Sequence, residues 1–194
     1  MAGDTPEGWR FVESVAEYDT GWYTGGYDRL EQPDGTEKNY YWAALPPAVV
    51  VTARDGDELV MIRQYRPAIR RYCLEHVAGI VEQEDADGGF DQMEGVPDAA
   101  YEAAAARELR EEAGFAPGET RLLAEVWCST GVLRHRRGHV FATDLEPAER
   151  RLDTNEFIDV TRVPVGEAFE RATAAPANDA TVEGVLLAER EGLL

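Results

Sequence analysis

The sequence predicts an α/β or α+β fold in which mixed strands surround one long helix. Short apolar runs separated by turn residues predict the strands, and a segment with four successive alanines predicts the helix. The chain has 194 residues, 44% of them hydrophobic, so it can bury one core and carry a small appendage. We therefore expect a main domain at 46–194, preceded by a small antiparallel β unit at 1–45.

The elements follow from local patterns along the chain. Aromatic residues and the turn signal Pro33-Asp34-Gly35 predict the N-terminal β unit, with its turn at 33–36. Asp98 is a candidate cap for the long helix, and Gly114 is its predicted stop. In the main domain we expect strands at 48–53, 58–64, 74–81, 121–128, 139–144 and 157–162, and helices at 100–113, 165–172 and 180–191.

The segment 82–98 is the most acidic part of the main domain. It contains seven Asp and Glu residues around a Gly pair, and apolar periodicity is lost there. We interpret it as an exposed loop, here called the acidic insertion. A salt-adapted surface loop is the favoured interpretation over a lid or a partner contact.

The charge of the chain limits its partners. Nineteen cationic and 38 anionic side chains give a net charge of −19. Duplex DNA and anionic membranes are bound through basic surface, so neither is an expected partner. Lys38 is the single lysine, and the other cations are arginines. A very acidic chain almost without lysine suggests a halophilic source with a salt-rich cytoplasm.

Cysteine usage and the N-terminus predict a cytoplasmic protein. Cys73 and Cys128 form no CxxC pair and no ligand-like spacing, which is typical of reduced, buried thiols. The first ten residues are acidic and lack the apolar region of a signal peptide. No apolar run approaches the length of a membrane span.

Three glutamates of the long helix form the main candidate site. Glu108, Glu111 and Glu112 are spaced i, i+3 and i+4, so their carboxylates share one face of the helix. Mg²⁺ would relieve their mutual repulsion, since it prefers a few carboxylates together with substrate phosphates. Arg107, four residues before Glu111, is placed to orient that carboxylate. On spacing alone, a solvated helix face is the favoured interpretation of the cluster in so acidic a chain.

The order of residues around these glutamates resembles a known motif. Arg107-Glu108-Leu109-Arg110-Glu111-Glu112-Ala113-Gly114-Phe115 looks like the second half of the Nudix box, and Leu74–Gly79 resembles the strand and glycine that open it. The stretches 63–66, 155–158 and 179–181 resemble the ADP-ribose pyrophosphatase branch of the Nudix hydrolases. The resemblance implies a mixed sheet sandwiched by helices.

The resemblance also implies roles for individual residues. Glu108 and Glu112 would bind Mg²⁺ (with Mn²⁺ as a possible substitute), together with the Ala78 carbonyl. Glu111 would bind a second metal ion or act as a base. Gly79 would let the backbone approach metal and phosphate, because it has no side chain.

Arginines are the expected phosphate ligands. Arg66 is the first candidate to clamp phosphate oxygens, a task that suits the guanidinium fork. For Arg63, a surface position on a strand is about as good an interpretation as a phosphate contact.

Two departures from the family pattern concern the acidic insertion and a later loop. The stretch from Gly79 to Arg107 is longer than the pattern allows, and the usual mid-box Glu falls on Ala99, so Glu94 or Asp98 could substitute for it. Where relatives carry Ser-Pro-Gly, this chain has Ser129-Thr130-Gly131.

The segment after that triplet, 132–139, lacks the catalytic Glu that the same loop often supplies in relatives. It carries Arg134, His135, Arg136 and Arg137 instead, and is here called the arginine loop. It is either a basic turn paired with neighbouring acids or a phosphate-binding loop. His135 and Glu111 are then both candidate general bases.

The resemblance therefore implies hydrolysis of a nucleoside diphosphate linked to another moiety. ADP-ribose is the favoured substrate, giving AMP and ribose 5-phosphate; another nucleotide sugar or a dinucleoside polyphosphate is the alternative. A Nudix fold that senses a nucleotide without hydrolysing it is the rival from a different class. Trp42 is a candidate to stack on adenine. The resemblance also implies a homodimer, because N-terminal sheets of ADP-ribose hydrolases commonly exchange between two subunits.

Overall fold

The computed structural model describes residues 6–152, 154 and 156–194, and these form two compact units. One contains the chain up to Pro46 together with Trp127–Arg136, and the other contains Pro47–Val126 and Arg137–Leu194. The strands of the described residues are β1 (Arg10–Asp19), β2 (Thr24–Glu31), β3 (Glu37–Ala44), β4 (Ala48–Asp55), β5 (Glu58–Arg66), β6 (Arg71–Glu75), β7 (Val77–Ile80), β8 (Phe115–Trp127), β9 (Leu133–Arg134), β10 (Arg136–Pro147) and β11 (Ile158–Pro164).

The first unit is a four-stranded sheet in the order β1-β2-β3-β9. Strands β1, β2 and β3 run antiparallel, and β9 pairs parallel to β3. The turn between β2 and β3 closes through the Gln32 amide, which donates to the Thr36 carbonyl over 2.8 Å. Gly35 lies in this turn with φ 82°, a conformation that glycine adopts readily.

The second unit contains a seven-stranded mixed sheet in the order β11-β5-β4-β10-β8, with β6 paired to β5 and β7 paired to β4. Alternation along β5 shows how both faces are buried: Val60 and Ile62 pack into one apolar cluster, whereas Leu59 and Met61 pack into another. Strand β10 runs parallel to β4, so the sheet is mixed.

The single strand expected at 74–81 is two strands in the structure. β6 pairs antiparallel with β5, and β7 pairs antiparallel with β4, so the chain changes neighbour at His76. His76 and Glu75 are both buried at this change of partner. The crossover carries Ala78 and Gly79 onto the central strand β4.

The long helix covers one face of this sheet. Helix α1 (Asp98–Glu108) continues into a π-helical turn (Leu109–Ala113), which ends at Gly114 with φ 76°. The alanines allow close packing, and Tyr101 is fully buried against Gly138, where any Cβ would overlap the ring. Asp98 is the first helical residue and Pro97 occupies the cap position, so the expected capping role of Asp98 is wrong.

Two short helices cover the other face. Helix α2 (Ala168–Thr173) follows a 3₁₀ turn, and α3 (Asp179–Arg190) is capped by the Asn178 side chain, which accepts from the Thr181 amide over 2.8 Å. Ala168 and Val185 pack onto Leu59 and Met61 of β5. Mixed sheets with few helices confirm the expected fold class.

The acidic insertion is not wholly exposed as expected. A 3₁₀ turn occupies Gln83–Asp85, Val96 is buried, and Phe90 packs against the core beside α1. These apolar residues are too widely spaced to form a periodic pattern, which explains why the sequence analysis missed their burial. Among the described residues, no helix is long and apolar enough to cross a membrane.

Candidate active site

The three glutamates of the long helix occupy different environments. Glu108 is 8% exposed and Glu112 is 4% exposed, whereas the Glu111 side chain is 42% exposed. Glu111 and Glu112 both lie in the π-helical turn, a rare geometry that is frequent at functional sites. The structure therefore brings two of the three carboxylates into a buried position; with the backbone of β7, they form what is here called the glutamate site.

The backbone of β7 lies directly against the buried pair. A Cβ on Gly79 would overlap the Glu108 carboxylate, so any other residue there would displace that carboxylate. The Ala78 amide donates to Glu112 Oε2 over 3.3 Å. The role expected for the Ala78 carbonyl stays a prediction.

Arg107 connects three acidic side chains. Its Nη1 donates to Glu108 Oε1 over 2.8 Å and to Glu111 Oε2 over 3.3 Å, and its Nη2 donates to the Ile80 carbonyl over 2.9 Å. The third acid is Asp85, 3.1 Å from Nη2, whose side chain is 9% exposed. One guanidinium thus holds two glutamates of the helix against the loop that follows β7.

Asp85, rather than Glu94 or Asp98, supplies the acidic partner of Arg107. When the motif is aligned on Arg107, its mid-box Glu falls on Ala99, because the acidic insertion lengthens the spacing between Gly79 and Arg107. Counting forwards from Gly79 would have found Asp85 six residues on. The extra residues of the acidic insertion therefore follow Asp85.

Arg66 lies beside the buried pair. Its Nε donates to both carboxylate oxygens of Glu75 over 3.0 Å. Its charge also acts on Glu112 and opposes the rise of that carboxyl's pKa. Arg66 is therefore held rigidly next to the glutamate site, with part of its guanidinium exposed.

Burial makes both glutamates poor at carrying charge alone. Loss of hydration raises the pKa of Glu108 to about 7, against the opposing effect of the Arg107 charge. Burial also raises the pKa of Glu112 to about 8, and the Glu108 charge adds to the rise. Without a cation, the pair therefore holds protons near neutral pH.

Glu156 is the functional candidate that the sequence analysis missed. Its charge adds to the raised pKa of both Glu108 and Glu112, and the Ile158 carbonyl, two residues further along the chain, shares Arg150 with the Glu112 carbonyl. The resemblance implies a catalytic Glu in the arginine loop, where this chain has none. The available signal was the stretch 155–158, which resembles the ADP-ribose pyrophosphatase branch; Asn155 itself lies outside the described residues.

The donor set fits a hard divalent cation. Two buried carboxylates with raised pKa values, and a glycine that leaves room at their side, form a site that a cation would stabilise. Within the described part of the chain, no group of three or more His, Cys, Asp and Glu side chains forms a ready ligand set. Mg²⁺ suits such a partial set, since it usually keeps waters and substrate oxygens as ligands.

The structure does not bring Arg63 to the glutamates. Its guanidinium lies over the Tyr72 ring, 4.4 Å from the centroid, and lines a cavity of about 410 Å³ with Glu170 and Arg171 of α2. Arg63 and Ile62 point to opposite faces of β5, and Ile62 packs on the α1 side. The surface interpretation of Arg63 is therefore the one that fits.

The arginine loop is largely paired within its own unit. Arg134 forms an ion pair with Asp28, and its guanidinium lies 4.0 Å from the Trp42 ring centroid. His135 Nδ1 is 2.8 Å from the Pro46 carbonyl oxygen. Arg136 lies over the Trp127 ring, 4.1 Å from its centroid. These contacts favour the interpretation as a basic turn.

Arg137, which the chain division assigns to the second unit, is also paired. Its Nη1 is 3.3 Å from Asp179 Oδ2 and 3.2 Å from Glu183 Oε2. The last arginine of the loop therefore anchors α3.

Comparisons with known proteins agree with this site. The NUDIX domain family matches residues 44–185, which include the glutamate site. An ADP-ribose pyrophosphatase of Bacillus subtilis (strain 168) is 28% identical over 155 residues, 78% of this chain and 76% of the relative. An ADP-sugar pyrophosphatase of Mus musculus is 28% identical over 127 residues, 61% of this chain and 51% of the relative.

A solved structure described as an ADP compounds hydrolase has the same fold. It matches with a TM-score of 0.80 and 20% identity, covering 99% of this chain and 100% of its own. The chain belongs to the NUDIX family. It is a Nudix hydrolase, a class whose members generally use divalent cations.

Proposed function

We propose that this chain hydrolyses the pyrophosphate bond of ADP-ribose, giving AMP and ribose 5-phosphate, with Mg²⁺ bound or Mn²⁺ in its place. The observation that carries the proposal is the buried pair Glu108 and Glu112 against Gly79. A chain gains nothing in stability from two adjacent buried carboxylates unless a cation binds them. The relatives named for ADP-ribose and ADP-sugar hydrolysis support the substrate class.

Glu108 and Glu112 would hold the cation, which when bound neutralises pyrophosphate charge and polarises phosphorus. Arg107 fixes the Glu108 carboxylate, and Arg66 presents its exposed guanidinium edge to substrate phosphate oxygens. Binding of the pyrophosphate excludes water from the pair and aligns the scissile bond.

Glu156 is the proposed general base. The action of its charge on both members of the buried pair supports a role in which an attacking water would lose its proton to the Glu156 carboxylate. Glu111 is the second candidate, although its carboxylate is already bound by Arg107. His135 is the third candidate, since with its Nδ1 donating to the Pro46 carbonyl its Nε2 is the nitrogen left to accept a proton.

A second candidate substrate is another ADP-sugar, favoured by the mouse relative. A dinucleoside polyphosphate needs a more cationic surface, and the pairing of Arg134 and Arg137 argues against it. The hypothesis of a non-catalytic sensor depended on the absence of a catalytic Glu from the arginine loop. Glu156 removes that argument.

Two further proposals concern the state of the protein. Exposed aromatic residues of the first unit, including Trp22 and Tyr41, support a homodimer formed through its sheet. The net charge of −19 supports a halophilic source, and the two free, buried cysteines support a cytoplasmic location. Sedimentation velocity in 2 M KCl (roughly a 2 Å Debye length) and in dilute buffer tests both.

Product analysis tests the function. The protein is incubated with ADP-ribose and Mg²⁺ in concentrated KCl, beside Glu112→Gln and, as matched control, Arg190→Gln at an exposed position of α3. AMP and ribose 5-phosphate formed by wild type and by Arg190→Gln, but not by Glu112→Gln, support the proposal. If ADP-ribose stays intact and other ADP-sugars are cleaved, the substrate is another ADP-sugar. If both are bound and neither is hydrolysed, the protein is a non-catalytic nucleotide sensor.

A further inference from the structure

The loop after β10 returns to the glutamate helix and binds its last turn. The Ala148 amide donates to the Gly114 carbonyl over 2.8 Å, and the Arg151 amide donates to the Glu111 carbonyl over 3.1 Å. Carbonyls at the end of a helix have no partner within the helix. This loop therefore supplies partners that the π-helical turn cannot.

Arg150 makes the side-chain part of this connection. Its Nε donates to the Glu112 carbonyl over 2.5 Å, and its Nη2 donates to the Ile158 carbonyl over 2.7 Å. Gly114 packs tightly here, since a Cβ on it would lie 3.4 Å from the Arg150 Cβ. The planar guanidinium thus bridges two backbone segments at fixed geometry.

The two bridged segments carry the chemistry of the proposed site. One carbonyl belongs to Glu112, a buried member of the pair, and the other lies two residues after Glu156. Both hydrogen bonds that the structure shows for the Arg150 guanidinium go to backbone carbonyls. Its contacts are therefore directed to the backbone that sets the spacing of the two glutamates.

We propose that Arg150 is a positioning residue that fixes Glu156 relative to Glu112. The inference rests on the proposed function, in which Glu156 takes a proton beside the buried pair. Arg150 donates to the carbonyl of Glu112 and to the carbonyl of Ile158, two residues after Glu156, so it acts through the backbone of the two segments. Freed from Arg150, the loop bearing Glu156 samples positions in which its carboxylate no longer meets the attacking water.

A double-mutant cycle in the full-length protein tests this role. We expect Arg150→Met to lower kcat on the order of tenfold with little change in KM, because substrate contacts are kept. In a Glu156→Gln background the same change should cost less than about twofold, because the group it positions is gone. Arg151→Met is the matched control, since its side chain pairs only with exposed Glu149.

Additive effects of Arg150→Met and Glu156→Gln would overturn the proposal. So would a lowered Tm of Arg150→Met with unchanged kcat per folded molecule, since that is a purely structural role. Arg150→Lys, which can reach one carbonyl at a time, should give an intermediate kcat.

Hydrogen exchange separates this inference from the proposed substrate. In Arg150→Met, amides at 109–113 and 156–160 should exchange faster together, whereas Arg151→Met should leave both segments as in wild type. Wild-type exchange in both segments of Arg150→Met overturns the inference, whatever the substrate. Absence of ADP-ribose cleavage by wild type contradicts the proposed function alone.

Discussion

The glutamate site and the arginine loop look alike in sequence and differ in the structure. Each is a run of like charges within a few residues. Arg134 and Arg137 find carboxylate partners, whereas Glu108 and Glu112 are buried side by side with one cation, Arg107, on the first of them. Carboxylates of the protein neutralise Arg134 and Arg137 in the arginine loop, whereas the negative charges of the glutamate site are not fully neutralised.

This difference indicates where a ligand acts. Burying like charges together costs free energy, and the pKa values of about 7 and 8 record that cost. A bound cation would remove it. The paired arginines carry no such cost, so their charge implies stabilisation of the loop rather than recognition of phosphate.

The largest expected effect is on kcat, and it tests whether the general base is Glu156, beside the glutamate site, or His135, in the arginine loop. Glu156→Gln should lower kcat by about 10²- to 10⁴-fold, because general base catalysis typically contributes that much. His135→Gln should lower it by less than about threefold. Steady-state kinetics with ADP-ribose at saturating Mg²⁺ measure both.

A large loss of kcat in His135→Gln together with a small loss in Glu156→Gln would instead assign the general base to the arginine loop. Circular dichroism of each variant supplies the control, since Glu156→Gln should fold as wild type does.

Much of the fold was readable from the sequence because its signals are local. Alternation along β5 and the alanines of α1 act within a few residues, and the Nudix motif is contiguous. The crossover at His76 and the nearness of Glu156 to Glu108 depend on which strands pair. Such contacts between distant residues leave no periodic pattern, so the sequence analysis missed them.

The next effect tests the cost of the buried pair through pH. In metal-free protein, Glu112 keeps its proton up to about pH 8, whereas in the unfolded chain it loses its proton near the ordinary glutamate pKa of 4.5. The native state then binds more protons, so the free energy of unfolding falls as pH rises between these values. The fall is up to about 1.4 kcal/mol for each unit of pH.

Glu112→Gln should remove the part of this fall that is due to Glu112, because the amide does not titrate, and should leave the part due to Glu108, whose pKa is raised to about 7. Urea unfolding at pH 5 and pH 8, in concentrated KCl with chelator, measures the difference from wild type. Added Mg²⁺ should stabilise wild type at pH 8 and not the variant. Equal pH dependence of the two proteins would show that Glu112 ionises normally.

A smaller effect is expected at Asp85, which anchors Arg107 from the acidic insertion. Asp85→Asn leaves the guanidinium without one of its carboxylates and should lower kcat/KM on the order of tenfold, the cost of a charged hydrogen bond. Asp87→Asn, at an exposed position of the same insertion, should change it by less than twofold, roughly the range of surface substitutions. Equal losses of kcat/KM in Asp85→Asn and Asp87→Asn would show that both result from loss of surface charge rather than from loss of the contact with Arg107.

The smallest effect is expected at Arg63, which sequence alone could not separate from Arg66. Both arginines lie on β5, but Arg66 contacts Glu75 and acts on Glu112, whereas Arg63 lies over Tyr72 beside α2. Strand alternation places positions three apart on opposite faces, so only one of them can serve the glutamate site. Arg63→Gln should therefore leave KM for ADP-ribose within about twofold, while Arg66→Gln raises it on the order of tenfold or more, the cost of a charged hydrogen bond. An equal rise in KM for both variants would contradict the assignment of Arg66 alone to the glutamate site.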